Sequence, residues 1–295
     1  MIHIHDCGIG FSVKARIEDA SRRIWVTDYS ADKPANLRRH LLDTSRKLGL
    51  GKIILPVKSE DVDRMKGDGF YVEGVIQGYF NGNDACFLSA FPSQRRAISL
   101  TLSRERKILH EIINTKSGLR KHLPKEFNIR RATAKDAAAI SKLFKKVFAT
   151  YPAPVYDPLY LARSMEKGDV FMVVFHHRRL VGVAAAEIQA DRGNAELTNC
   201  ATDPEYRGLG LNSILLACVE KKCISRKIGC LYSLARASSY GMNLVLHRLG
   251  YDFTGTLINN CHISGRFENM NIWVKSRKNE YFPVDNNYSA ALPAE

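Results

Sequence analysis

The stretch Asp203–Ser213, DPEYRGLGLNS, places an arginine and two glycines just before an apolar run that begins at Leu211. The pattern predicts a turn that leads into a helix. The first amides of a helix have no partner inside it and carry the positive end of its dipole, and Gly208 and Gly210 let phosphate oxygens approach without meeting a Cβ. We therefore predict a pyrophosphate-binding turn. A Rossmann loop would need glycine at Ser213, and a P-loop would need Gly-Lys-Ser/Thr, which is absent.

The sequence around this turn predicts an α/β fold with a mixed, mostly antiparallel sheet flanked by helices. Before the turn, the chain from Phe127 reads as a strand, two helices at 134–148 and 159–168, and three strands at 169–177, 179–189 and 195–202. After it come a helix at 211–227, a strand at 230–237, a helix at 239–249, and two strands at 251–263 and 266–275. Helices on both faces of one sheet are the simplest packing for this order.

The first part of the chain repeats a pattern of the last part. The segment from Gly69, GFYVEGVIQGYFNGNDACFLSAF, resembles the segment from Gly250, GYDFTGTLINNCHISGRFENMNIWV. We predict that the N-terminal part is a truncated relative of the C-terminal domain; coincidence between two hairpins is the alternative. The predicted divisions are an N-terminal α/β domain at 1–122 that ends in a basic helix, a linker at 120–127, a second domain at 127–276 and a tail at 277–295.

The charge is strongly positive and unevenly placed. The formal net charge of the 295 residues is +14, and the segment 93–125 holds nine Lys or Arg and two acidic residues, an excess of seven. Its apolar residues recur near helical spacing, so a solvated helix face is the simplest interpretation. A basic nucleic-acid-binding protein that uses this face is the alternative from another functional class, and it predicts binding with a steep salt dependence.

Cysteine usage and hydropathy favour a cytoplasmic protein. The seven cysteines are scattered and form no CxxC pair, which is typical of reduced thiols. No run of 18 apolar residues occurs, so we expect no membrane span. The segment His3–Cys7, HIHDC, contains metal-ligand residue types but also alternates like an ordinary strand, and we predict no metal site.

The turn and its flanking elements resemble the GNAT superfamily of acyl-CoA-dependent N-acetyltransferases, whose cofactor motif reads Q/R-x-x-G-x-G/A. The resemblance covers about residues 127–275, and the chain departs from the motif at Asn212, where glycine or alanine is usual. It implies the GNAT fold and acetyl-CoA as co-substrate. The cofactor-binding residues that it implies, in the loop, on the preceding strand and at the next helix start, are Ala201, Thr202, Arg207, Gly208, Leu209, Gly210, Leu211, Asn212 and Ser239.

Strings in both halves of the chain are similar to the β-lysine N6-acetyltransferases within this superfamily. They include ARASSYGMN from Ala235, RLGYDFTGTLINN from Arg248 and GYFNGNDACFLSAFPSQRR from Gly78. The resemblance implies acetyl transfer to the N6 amine of β-lysine, which gives the compatible solute N6-acetyl-β-lysine, with lysine 2,3-aminomutase as the pathway partner. A GNAT enzyme for another amine, such as a polyamine, an aminoglycoside or a protein lysine, is the alternative.

The chemistry of such a transfer needs a base, because only about one lysine-type amine in a few thousand is neutral at pH 7. The strand AELTNCAT resembles a strand of histone-acetylating GNAT members whose glutamate is the general base, and this implies Glu196 as base. Strand alternation predicts that Glu196, Thr198 and Cys200 share one face. Glu187 and Asp203 are the reserve candidates. The tyrosine that protonates the leaving thiolate in many GNAT enzymes falls on Leu246 here, so no general acid is assigned.

The acceptor pocket should contain polar and charged groups, because β-lysine carries one carboxylate and two amines. We predict that these groups come from the strand before the turn and from the last three strands of the chain. The predicted residues are Asn199, Arg236, Asn259, Asn260 and Glu268. Three roles stay open for the N-terminal domain: shaping this pocket, forming a homodimer face, or stabilising the fold.

Overall fold

The computed structural model describes residues 2–116, 123 and 125–276. The first half contains β1 (Ile2–Gly8), β2 (Phe11–Glu18), β3 (Arg23–Ala31), α1 (Pro34–Lys47), β4 (Lys52–Lys58), α2 (Val62–Met65), β5 (Tyr71–Phe80), β6 (Asn83–Ala90), α3 (Gln94–Ala97) and α4 (Leu102–Ile113). The second half contains β7 (Phe127–Arg131), α5 (Ala137–Val147), α6 (Pro158–Glu166), β8 (Val170–His176), β9 (Arg179–Gln189), β10 (Asn194–Thr202), α7 (Leu211–Ser225), β11 (Cys230–Arg236), α8 (Tyr240–Arg248), β12 (Asp252–Ile263) and β13 (Arg266–Ser276).

All described strands form one sheet in the order β1-β2-β3-β4-β6-β5-β12-β13-β11-β10-β9-β8-β7. Neighbours are antiparallel except the pairs β3–β4 and β10–β11, which are parallel. α5 and α6 pack on one face of the second half and α7 and α8 on the other, each through a separate apolar cluster. The predicted mixed, mostly antiparallel sheet flanked by helices is confirmed.

The two halves repeat the same strand order. Strands β1 to β6 run 1-2-3-4-6-5, and β8 to β13 run 8-9-10-11-13-12, each set with one parallel pair at the same place. In the two terminal hairpins the β-bulges fall at matching sites, after Val72 and after Phe253, which are 253 − 72 = 181 positions apart. The first half thus has no counterpart of β7, α5 and α6 among the described residues. The predicted resemblance between the halves is present in the topology.

The halves join where β5 meets β12, and their only paired residues there are two glycines of the repeat, Gly74 and Gly255. A Cβ on Gly255 would overlap the backbone of Glu73 and Gly74, so the close strand approach requires glycine. Each hairpin then crosses to the other half. Asn194 donates to the Tyr79 carbonyl at 2.7 Å, and at the equivalent place Arg23 donates to the Asn260 carbonyl at 3.0 Å.

Part of the predicted basic face is buried in this junction. The Arg96 guanidinium donates to the carbonyls of Asn259 at 2.6 Å and Ser21 at 2.7 Å, and Glu105 of α4 accepts from the Asn269 amide at 2.5 Å. Those two residues therefore join the halves instead of facing solvent. Residues 120–122 and 124 of the predicted linker, residues 117–122 and 124 of the basic segment 93–125, and the tail at 277–295 lie outside the described residues. None of the helices that the structure describes is long and apolar enough to cross a lipid bilayer.

Candidate active site

The glycine turn is held by charged contacts at its first residue. The Asp203 carboxylate accepts from Lys146 Nζ at 2.8 Å and from Arg179 Nη2 at 2.7 Å, and it caps the Glu205 amide at 3.2 Å. Burial alone would raise the pKa of Asp203, but these hydrogen bonds hold it below its ordinary value. Asp203, a reserve candidate for the base, is therefore a structural anion that fixes the strand-to-turn corner.

The turn itself has the conformation that the sequence predicts. Gly208 and Gly210 have φ angles of 80° and 79°, in the left-handed region that favours glycine, and α7 begins at Leu211. A Cβ on Gly208 would meet no protein atom within 4 Å. The space beside Gly208 is therefore open at the start of α7, and the start of a helix suits a pyrophosphate group.

A cleft of about 650 Å³ runs from this turn between β10 and β11. The two parallel strands pair only as far as Glu196 and Tyr232 and then diverge, so the cleft opens between them. Ten of the predicted donor and acceptor residues line it: Ala201, Thr202, Arg207, Gly208, Gly210, Leu211, Asn212, Ser239, Asn199 and Arg236. Leu209 belongs to the turn but is 42% exposed and is not among the lining residues.

A β-bulge at Asn199 changes which side chains of β10 face the acceptor side. Asn199 has a φ of 51°, and the register with β9 shifts between Thr198 and Ala201. Ala201 therefore shares the face of Glu196 and Thr198, while Cys200 packs against the apolar cluster on the opposite side. The prediction that Cys200 shares the Glu196 face is wrong, because strand alternation does not continue through a bulge.

Glu196 forms a cross-strand pair with Glu187, and both side chains are half-buried. Asn199 donates to Glu187 Oε1 at 3.0 Å, and the Tyr232 hydroxyl donates to Glu196 Oε2 at 3.4 Å. Burial and the neighbouring Glu187 charge raise the pKa of Glu196 to about 8, and burial also raises the pKa of Glu187. Two carboxyl groups that repel one another form a site where a cationic amine is favoured.

The first half of the chain contributes cations to the same region. Arg23 donates to Glu18 Oε2 at 2.8 Å, and the guanidinium of Arg16 lies 3.7 Å from Glu18 Oε1. The positive charges of Arg16 and Arg23 lower the pKa of Glu196, against the effect of burial. We call Arg16, Glu18, Arg23, Glu187 and Glu196 the polar cluster. Strand alternation in the second half does not point to Arg16, Glu18 or Arg23, because they lie more than 160 positions before Glu187 and Glu196 in the sequence.

Three predicted acceptor residues lie outside the cleft lining. The side chain of Asn259 donates to the carbonyls of Arg96 and Ile98, both at 2.9 Å, and Asn260 is buried in the junction where its carbonyl accepts from Arg23. Glu268 is buried and accepts from Ser238 at 3.0 Å and Arg266 at 2.8 Å. The structure therefore gives Asn259 and Asn260 roles in joining the halves, which the crossing of β12 onto the first half explains.

Tyr151 is a cleft residue that the sequence reasoning missed. It lies in the loop between α5 and α6, lines the cleft together with Thr198, and is buried enough that its pKa is raised far above the usual value. Leu246, at the usual tyrosine position, is fully buried in the α7 and α8 cluster. Tyr251 is also buried and donates to Glu220, so it is a core residue. The sequence signal for Tyr151 is its place in a proline-containing loop, since loops often carry functional side chains.

Comparisons with known proteins agree with this site. The acetyltransferase (GNAT) family matches residues 137–251. The chain is 42% identical over 224 residues to N-acetyltransferase YodP of Bacillus subtilis, covering 76% of this chain and 82% of that protein. It is 32% identical over 247 residues to a β-lysine N6-acetyltransferase of Methanosarcina mazei, covering 77% and 91%. It is 29% identical over 260 residues to one of Methanococcus maripaludis, covering 88% and 94%.

These alignments extend into the first half of the chain. Each covers at least 76% of the chain, which is more than the residues after Phe127 alone supply, so the likeness includes part of the first half. Both the open glycine turn and the diverging parallel strands fall inside the family match. The chain belongs to the acetyltransferase (GNAT) family and is an N-acetyltransferase that uses acetyl-CoA as its acetyl donor.

Proposed function

We propose that the protein acetylates the N6 amine of β-lysine and so produces N6-acetyl-β-lysine. The observation that carries the proposal is the carboxyl pair of Glu187 and Glu196, with cations of the first half in the same polar cluster. Neither carboxyl group is among the residues that line the cleft, but Asn199, which does line it, donates to Glu187. This combination suits an acceptor that is both cationic and anionic. The proposal is supported by two relatives that bear this enzyme name and align with 77% and 88% of the chain.

The donor is proposed to lie along the cleft. The pyrophosphate of acetyl-CoA binds the amides of residues 208–212, with Arg207 beside them, because an anion is favoured at a helix start. The pantetheine arm lies between the diverging strands, next to Ala201 and Thr202, where main-chain groups polarise the thioester carbonyl. Ser239, at the start of α8, lines the same cleft and faces the donor.

Glu196 is proposed as the general base. Holding a lysine-type amine neutral at pH 7 costs about 4 to 5 kcal/mol, so removal of its proton must be assisted. Glu196 takes that proton, N6 attacks the thioester carbonyl carbon, and the carbon–sulfur bond breaks to release the CoA thiolate. A carboxylate whose pKa is raised to about 8 is a stronger base than an ordinary glutamate and matches the working pH more closely.

The thiolate needs a proton donor, and Tyr151 is proposed for this step. Its buried hydroxyl keeps its proton at neutral pH because burial raises its pKa. It lines the cleft on the side of Thr198, which shares a face with Glu196. The second proton of the attacking nitrogen restores Tyr151, and the proton on Glu196 returns to solvent. The products are then the amide, the free thiol and one proton.

The charge of the product supports a role as a compatible solute. Acetylation removes the N6 charge and leaves a zwitterion of net charge zero, which can accumulate without changing the ionic balance. The proposed role is osmoadaptation, with lysine 2,3-aminomutase supplying β-lysine. A homodimer and a cytoplasmic location remain expectations from the sequence.

The first test is an acceptor panel. We expect kcat/KM to be highest for β-lysine when CoA release is measured with β-lysine, α-lysine, spermidine and a lysine-containing peptide. Mass spectrometry and NMR of the product should place the acetyl group on N6. A higher kcat/KM for spermidine than for β-lysine would replace this proposal with that of a polyamine acetyltransferase.

A glycine substitution tests the donor site. Gly208→Ala is expected to weaken CoA binding about tenfold by calorimetry, because the new Cβ projects into the space proposed for the pyrophosphate. Gly250→Ala is the matched control, since Gly250 also has a φ of 80° and open space around its Cβ position but lies outside the cleft. Both variants should lose similar stability, about 1 kcal/mol. Equal CoA affinity in the two variants would contradict the proposed site.

A further inference from the structure

Arg16 of β2 carries a hydrogen-bond donor that the protein leaves unused. Its Nε is buried and has no hydrogen-bond partner among the residues that the structure describes. Its guanidinium stacks over Trp25 at 5.7 Å, and its closest carboxylate oxygen, Glu18 Oε1 at 3.7 Å, lies beyond hydrogen-bond distance. Buried donors are almost always paired, so an unpaired guanidinium N–H indicates a missing acceptor.

The repeat places Arg16 at the position that corresponds to Glu187, the cross-strand partner of the proposed base. Trp25 is the third residue of β3 that pairs with the parallel strand β4. Glu196 is likewise the third residue of β10 that pairs with the parallel strand β11. Arg16 is the cross-strand partner of Trp25, as Glu187 is of Glu196. The first half therefore has an arginine–tryptophan pair at the position where the second half has two glutamates.

The two pairs lie at the two ends of one aromatic network. A chain of ring contacts leads from Trp25 to Phe87 at 5.9 Å, on to Tyr79 at 5.5 Å and then to Tyr232 at 5.6 Å, whose hydroxyl donates to Glu196. The positive charge of Arg16 also acts on the carboxyl groups of Glu187 and Glu196. One side of the polar cluster is thus anionic and the other offers a free guanidinium donor.

We propose that Arg16 binds the carboxylate of an amino-acid acceptor and that the neighbouring Glu18 attracts the ammonium group next to that carboxylate. In the first half, Trp25 occupies the position that corresponds to Glu196. The first half then selects the acceptor for the active site of the second half. The proposal rests on the proposed function in one respect, the placement of the reacting amine at Glu196. A guanidinium suits this role because it bonds a carboxylate through two parallel N–H groups.

The test compares acceptors that differ only in the carboxylate. The pair is β-lysine and 1,4-diaminopentane, its decarboxylated counterpart, and the measured quantity is the ratio of their kcat/KM values. Arg16→Met should lower this ratio about 10- to 100-fold, and Arg16→Lys should lower it less, because it keeps the charge and loses the paired geometry. Lys14→Met is the control, since Lys14 lies on the same strand in an exposed ion pair with Asp28; its ratio should match the wild type.

The outcomes separate this proposal from the proposed function. An Arg16→Met variant that slows both acceptors by the same factor has a structural defect, and that result overturns the proposal while acetylation of β-lysine stands. If the wild-type enzyme prefers α-lysine to β-lysine, the proposed acceptor is wrong, and the same ratio measured with α-lysine and 1,5-diaminopentane tests Arg16. A wild-type enzyme with no preference for the carboxylated member of either pair overturns the assignment of Arg16.

Discussion

Glu196→Gln is expected to lower kcat about 10²- to 10⁴-fold, the usual contribution of a positioned base, while CoA affinity stays unchanged. The amide keeps the size of the side chain and its contact with Tyr232 but cannot accept the proton of the amine. In the wild-type enzyme the active form has Glu196 ionised and the acceptor protonated. Because the pKa of Glu196 is raised to about 8, kcat/KM should rise with pH and level off near pH 8.

The pH profile distinguishes a base from a merely nearby carboxylate. Without a base, the Glu196→Gln variant reacts only with the neutral amine, so its kcat/KM should keep rising toward the pKa of the amine, about 10.4. Glu187→Gln is the control: it removes the neighbouring charge that helps to raise the pKa of Glu196, so its profile should level off at lower pH with a smaller loss of rate. Unchanged kcat and an unchanged profile in Glu196→Gln would rule Glu196 out.

Glu73→Ala is expected to reduce the free energy of unfolding by about 3 to 5 kcal/mol, because it leaves a buried lysine without its counter-ion. Lys52 Nζ lies 2.6 Å from Glu73 Oε2, and the two side chains are 0% and 2% exposed. Burial lowers the pKa of Lys52 to about 8 although the Glu73 charge acts to raise it. Glu73 Oε1 also accepts from the Ile258 amide at 2.8 Å, so the same substitution loosens the contact between the halves.

Denaturant unfolding measures this effect. Glu60→Ala is the control, because the Lys58–Glu60 ion pair is exposed and its loss should change the free energy of unfolding by less than about 1 kcal/mol. A Lys52→Met, Glu73→Gln double variant should recover much of the loss, since no unpaired charge remains and the Ile258 amide keeps an acceptor. If Glu73→Ala unfolds no more easily than Glu60→Ala, the buried pair does not stabilise the junction.

Local sequence pattern was sufficient for the elements and the donor turn. The strand predicted at 179–189 is observed as Arg179–Gln189, and the helix predicted to start at 211 starts at Leu211. Both follow from short-range signals, alternating side chains in one case and glycines before an apolar run in the other. The resemblance between the two hairpins was also readable, because glycines and aromatic residues recur in the same order, and the structure adds bulges at matching sites.

The acceptor side could not be read in the same way. Asn259 and Asn260 are polar residues on a strand, and nothing in their neighbourhood shows that β12 crosses to the first half and pairs them with Arg96 and Arg23. The bulge at Asn199 likewise moves Cys200 off the predicted face. Arg16 reaches the polar cluster only through the folding of two distant halves against each other. These features depend on tertiary contacts, to which hydrophobic periodicity is insensitive.

Because each terminal hairpin contacts the opposite half, the first half needs partners that are synthesised much later. Lys52 finds its carbonyl acceptor at Ile258, 206 residues later, and Arg23 finds one at Asn260, 237 residues later. At about 5 to 20 residues per second, translation needs roughly 10 to 40 s to supply the first of these partners. The nascent first half therefore lacks these two carbonyl acceptors until the β12–β13 hairpin has been synthesised.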